Sequence, residues 1–114
     1  MIFTLPYPPS ANRYWRHNRG IIHRSTEAKA FMARAAIMAR AAGAVKVVGD
    51  VRIVLDVYRP AKRGDLDNSI KVLVDSLRGI AYEDDNQIVR IEANRFEDKK
   101  NPRVEVLVQR WERE

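Results

Sequence analysis

A chain of 114 residues with a formal charge of +6 and no cysteine fits one domain with a modest core, which subunit association would help. The missing thiols exclude a disulfide framework and thiol chemistry, and are compatible with a reducing cytoplasm. No basic-then-apolar leader opens the chain and no apolar run approaches membrane-spanning length, so the expectation is a soluble, cytoplasmic protein without a membrane partner.

The charge is unevenly spread. Residues 1–49 hold eight Lys/Arg and one acid, Glu27, whereas residues 50–114 hold thirteen Lys/Arg and fourteen acids. A basic first half favours polyanions, nucleic acid above all, over a merely solvated surface.

In chain order, Ile2–Leu5 predicts a short strand, stopped by Pro6, Pro8 and Pro9. Residues 11–25 are polar, aromatic and basic and read as a loop. Ser25 is a good N-cap with Glu27 in the first turn behind it. From Thr26 to about Ala42, Ala28, Phe31, Ala35, Met38, Ala39 and Ala42 fall on one helical stripe, ended by Gly43. Val51, Ile53, Leu55 and Val57 alternate along a strand over 51–58, closed by Pro60. A basic loop, residues 61–64, leads into Asp65, Asp67 and Asn68. Beyond it Ile70, Leu73, Val74 and Leu77 mark an amphipathic helix with Gly79 at its stop. An acidic connector follows, and then strands over 88–96 and 103–111 with Asn101 and Pro102 in the turn. The order β-α-β-α-β-β predicts an α+β domain over residues 1–114, a mixed sheet with two helices packed on it.

The acids carry the chemistry. Asp65 and Asp67 stand at the helix mouth, Asp75 lies within the helix, and Glu83, Asp84 and Asp85 come just after it. If Asp65 and Asp67 are both extended, their i, i+2 spacing puts both carboxylates on one side of the chain. A short helix and connector then bring Asp84 or Asp85 back beside them. Such a group repels itself unless a cation sits within it, and hard oxygens suit Mg²⁺. That ion serves phosphodiester hydrolysis by activating water and by offsetting transition-state charge. Lys71, one turn after Asp67, is placed to stabilise the same charge. The residues alone leave a second reading open: Asp and Asn at a helix start are also plain caps, and Asp67 and Lys71 fit an ordinary i, i+4 surface pair.

Other chemistries have less behind them. His17 and His23 lack a third ligand for zinc. Ser10 and Ser25 lack a base. No glycine-rich phosphate loop is present, so no nucleotide cofactor is expected. Tyr14 and Trp15, among Arg13, Arg16 and Arg19, suit either base stacking or core packing.

Two blocks of the sequence are distinctive together. Residues 5–20, "LPYPPSANRYWRHNRG", and residues 63–77, "RGDLDNSIKVLVDSL", followed by "EDDNQI" at 83–88, resemble the RusA family of Holliday junction resolvases. The resemblance implies a small homodimeric endonuclease that uses Mg²⁺, with Mn²⁺ as a substitute, and nicks four-way junction DNA symmetrically in recombination and repair. It implies metal ligands at Asp65, Asp67 and Asp85, with Asp84 adjacent, and the motif lysine at Lys71. The matching Asn68 and the basic Arg13, Arg16, His17 and Arg19 become DNA-contact candidates, as do Lys62 and Arg63 in the loop before the acids. A two-fold dimer suits a nearly two-fold junction. The alternatives are a DNA-binding module whose acids are structural, a metal nuclease acting on other branched DNA or RNA, and a protein-interaction domain.

Overall fold

A computed structural model describes residues 1–62 and 66–112. Its main sheet has four strands: β1 (Ile2–Pro6), β4 (Val51–Arg59), β5 (Ile88–Glu97) and β6 (Arg103–Arg110), in the order β1-β6-β4-β5. β6 runs antiparallel to both neighbours, and β4 and β5 are parallel, so the sheet is mixed as expected. β5 and β6 follow each other in sequence but lie on opposite sides of β4.

The alternation read in β4 holds. Val51, Ile53, Leu55 and Val57 are buried on one face, level with Val104, Val106 and Val108 of β6 and Phe3 and Leu5 of β1. Two helices, α2 (Thr26–Ala41) and α3 (Leu66–Ser76), cover that face. The Ser25 side chain caps α2 by accepting the Ala28 N–H at 3.0 Å, and its own hydroxyl donates to the Arg13 carbonyl at 2.6 Å. Ala28, Phe31, Ala35 and Ala39 form the buried stripe of α2, while Ala42 is its exposed C-cap. The small alanines let the helix approach the sheet closely.

α3 largely keeps the expected face: Leu73 and Leu77, just past its end, are fully buried and Ile70 packs against the core, Val74 is only half-buried, and Val72 and Ser76 join the buried side. Ser76 satisfies its buried hydroxyl by donating to the Leu73 carbonyl at 2.8 Å, so a polar residue occupies the apolar face without cost in unmade bonds.

The segment read as a loop over 11–25 is ordered. It contains a helical turn, α1 (Ala11–Tyr14), and a hairpin of β2 (Trp15–Asn18) and β3 (Ile21–Arg24), a separate two-stranded sheet. Arg19 (φ 51°) and Gly20 (φ 77°) form its two-residue turn. Positive φ at both turn positions matches the twist of the flanking strands. The acidic connector likewise holds a 3₁₀ turn, Asp85–Gln87.

Candidate active site

Parallel β4 and β5 require a crossover, and α3 supplies it. The chain leaves the end of β4 at Arg59, enters α3 at Leu66, and returns to the start of β5, level with Val51. Asp67, in the first turn of α3, therefore sits near the end of β4. Asp84 and Asp85 sit near its beginning, where the Gln87 side chain donates to the Val47 and Gly49 carbonyls at 2.9 and 2.8 Å. Tyr82 fixes this turn to the far end of α3 by donating to the Val74 carbonyl at 2.6 Å. At 1.5 Å per residue, α3 separates the two acidic groups by roughly 10–15 Å. Two ligands of one Mg²⁺ lie about 2.1 Å from it.

Asp67 and the Asp84–Asp85 pair thus follow opposite ends of α3 in the chain, and the expected grouping of Asp84 or Asp85 with Asp65 and Asp67 turns on Asp65. The premise of an extended Asp67 fails, because α3 has already begun there. Among the described residues, no three acids or histidines gather as a metal site. Asp65 and Arg63 lie outside the described residues.

At the β5 end, Asp84 caps the 3₁₀ turn. Its carboxylate accepts the Asn86 N–H at 3.0 Å, and the Gln87 side chain accepts the Asp84 N–H at 3.0 Å. The Asn86 N–H, a hydrogen bond with the Asp85 carboxyl and the Arg78 charge hold Asp84 below the usual carboxylate range. Arg78 reaches it at 3.9 Å. Asp85 is exposed, and its charge, after burial, helps push the Tyr82 phenol above its usual range. Two carboxyls this close favour a proton or a cation between them, and an all-oxygen donor set suits a hard divalent ion.

At the other end, Asp67 and Lys71 are exposed and make no ion pair among the described residues, so the i, i+4 pair that their spacing left open is not formed. Asn68 lines a cleft of about 800 Å³ together with Tyr7, Ser10, Arg13, Arg34 and Ser69. Arg13 is exposed and pairs with Glu27 at 3.1 Å. Arg16, His17, Arg19 and Lys62 are exposed.

The aromatic pair divides. Tyr14 is fully buried, which settles it as a core residue; Trp15 is half-buried and packs edge-on against it at 4.6 Å. The Tyr14 hydroxyl donates to Asp75 at 2.5 Å. Asp75 is therefore not part of an acidic metal group: it is spent on Tyr14 and Arg24. Burial pushes its carboxyl up, but the bonds from Arg24 and Tyr14 and the Arg24 and Arg78 charges outweigh this, and the net shift is down. This three-residue clamp, joining the hairpin to α3, was missed from sequence, since residues 51 and 61 positions apart leave no local signal.

A basic hairpin beside carboxylates on a crossover helix defines a small α+β domain suited to meeting a polyanion. Comparison with known proteins is more specific. The family model described as Endodeoxyribonuclease RusA matches residues 6–109. The Crossover junction endodeoxyribonuclease RusA of Escherichia coli K12 is 35% identical over 108 residues, 92% of this chain and 90% of the relative. The protein of the same name from Enterobacteria phage 82 is 34% identical over the same shares. The one from E. coli O139:H28 is 39% identical over 88 residues, 75% of this chain and 73% of its own. The chain belongs to the RusA family of endodeoxyribonucleases.

Proposed function

We propose that the chain is a Mg²⁺-dependent endonuclease that resolves four-way DNA junctions by paired, symmetric nicks in recombination and repair, acting as a homodimer. The observation that carries this reading is the presence of exposed acids at both ends of α3 in a basic member of an endonuclease family. Asp65 and Asp67 form one half of the metal site, Asp85 the other, with Asp84 beside it.

In this reading the dimer brings the two acidic groups together. β5 is an edge strand, and Val89, Ile91 and Phe96 on it remain 51, 44 and 44% exposed, which invites pairing with another strand. Two β5 strands paired antiparallel about a two-fold axis set the start of each beside the end of the other. That arrangement brings Asp84 and Asp85 of one subunit toward the β4 end of its partner, where α3 begins. Two such composite sites match two opposed strands of a junction.

A hard divalent cation, Mg²⁺ or its substitute Mn²⁺, supplies Lewis acidity for phosphodiester hydrolysis. Water adds to phosphorus, the P–O3′ bond breaks, and the leaving oxygen takes a proton, giving a 3′-hydroxyl and a 5′-phosphate. The Lys71 ammonium, exposed one turn from Asp67, offsets negative charge on the phosphoryl oxygens. Arg13, Arg16, His17, Arg19, Lys62, Arg63 and Asn68 hold the backbone, and the phosphate path sets junction preference through shape.

The test is Asp67→Asn assayed on a synthetic four-way junction with Mg²⁺ or Mn²⁺. Binding retained with cutting abolished supports the reading. Wild-type protein that binds junctions yet never nicks them makes it a binding module. Asp84's duty as a cap is the observation that favours that second reading. Flap, linear-duplex and hairpin-RNA substrates separate junctions from other targets.

A further inference from the structure

The hairpin tip is built unlike a phosphate-binding loop. Ile21 and Ile22 are 66 and 62% exposed, whereas Leu5 earlier in the chain is fully buried. Cross-strand partners share a face. Asn18 and Ile21, with Arg16 and His23, occupy one face; His17 and Ile22, with Trp15 and Arg24, occupy the other. Each face therefore ends in an isoleucine backed by a basic or imidazole side chain, and Arg19 caps the turn. No acid occurs from Ala11 to Thr26.

The base of the hairpin is held firmly. Arg24 donates twice to Asp75 of α3, Trp15 lies against buried Tyr14, and the Ser25 N–H donates to the Tyr14 carbonyl at 2.9 Å. A two-stranded hairpin is marginal on its own, so this anchoring matters: it sets a stiff blade roughly 10 Å beyond its last anchor. An apolar tip on a cationic blade matches one partner chemistry. Arg16 and Arg19 meet phosphates, and the isoleucines meet base faces once a stack is opened. Apolar wedges of this kind enter base steps and kink the duplex. Insertion is least costly where stacking is already interrupted, as at a branch point.

We propose that Ile21 and Ile22 form a wedge that enters the base stack at the branch point of the DNA; the choice of branched DNA rests on the functional reading above. The probe is a four-way junction carrying 2-aminopurine at the pairs flanking the branch, bound without divalent metal so that no cutting intervenes. Wild-type protein is expected to raise the fluorescence severalfold on binding. Ile21→Thr/Ile22→Thr keeps β-branched residues in the strand and is expected to remove most of that rise. It also lowers junction affinity about tenfold while affecting linear duplex far less. Ile22→Leu, apolar and milder, restores the signal and serves as the folded control alongside circular dichroism.

A wild-type complex with no fluorescence rise overturns the wedge. So does a double threonine variant that unstacks the branch like wild type, or that changes oligomeric state on sizing, since the isoleucines would then face another copy. Nicking is read separately with Mg²⁺. Unstacking without nicking defeats the nuclease reading and leaves the wedge standing; nicking without unstacking does the reverse.

Discussion

Arg24 and Asp75 face each other across the junction of hairpin and helix: Nε donates to Oδ2 at 2.8 Å and Nη2 to Oδ1 at 2.7 Å. The same Oδ2 accepts the Tyr14 hydroxyl. A planar fork on a carboxylate fixes angle as well as distance. Lysine at position 24 cannot reproduce it. Tyr14→Phe removes one charge-assisted bond while keeping the buried ring, and is expected to cost about 1.5–3 kcal/mol. Asp75→Asn is expected to cost more, because Arg24 is left without its charge partner. Thermal unfolding followed by circular dichroism measures both, and a Tyr14→Phe midpoint within a degree of wild type would refute the clamp.

The same clamp makes stability depend on pH at both ends of the range. Asp75 has its folded pKa below the unfolded value of about 3.9. Its contribution is complete above that unfolded value and disappears as pH falls through the folded one, where the unfolded chain binds more protons. Tyr14 behaves oppositely: burial first, then its bond to Asp75 and that residue's charge, raise its folded pKa. Its contribution is complete below about pH 10, the unfolded phenol value, and is lost as pH rises from there through the folded one. Denaturant midpoints across pH are expected to fall at both extremes, and Tyr14→Phe is expected to flatten the alkaline limb selectively.

A composite metal site makes a prediction that a single-subunit site does not share. Asp67→Asn and Asp85→Asn homodimers are both expected to be inactive. Mixed together, they form heterodimers in which one site has lost both halves and the other retains both. Those heterodimers are expected to regain nicking at one strand of the junction, without paired cuts. If both acids acted within one subunit, every site in the mixture would carry a lesion and no activity would return. The assay is strand-resolved cleavage after denaturing and refolding the two variants together.

Most of the framework was legible because it rests on local signals. The β4 alternation, the Ser25 cap and the Gly43 stop depend on nearest neighbours, and all three are present. The hairpin was hidden because Arg19 takes a left-handed conformation that glycine or asparagine normally marks, and because "RHNRG" reads as polar loop. Leu73, Leu77 and Ile70 of α3 face the core as their spacing predicts, whereas the burial of Val72 and Ser76 depends on where the sheet lies. The acids stand out by residue type and spacing, whereas the positions of Asp67 and Asp85 at opposite ends of α3 follow from strand order. Parallel pairing of β4 with β5, with β6 inserted on the far side of β4, is a long-range choice that no window of sequence records.

Charge on the hairpin leads to the last prediction. Arg13 and Arg24 are already engaged, by Glu27 and Asp75, whereas Arg16 and Arg19 are exposed and make no ion pair among the described residues. Each is therefore expected to displace counterions from a phosphate on binding. Log affinity falls with log salt at roughly 0.9 per neutralised phosphate on duplex DNA. Arg16→Gln and Arg19→Gln should each reduce that slope by about one, weaken binding to all sequences alike, and reduce it by about two when combined. Arg13→Gln should change it less, since the free protein already pairs that charge. Junction affinities measured over a salt series test this, and a slope unchanged in the double variant would remove the hairpin from the DNA path.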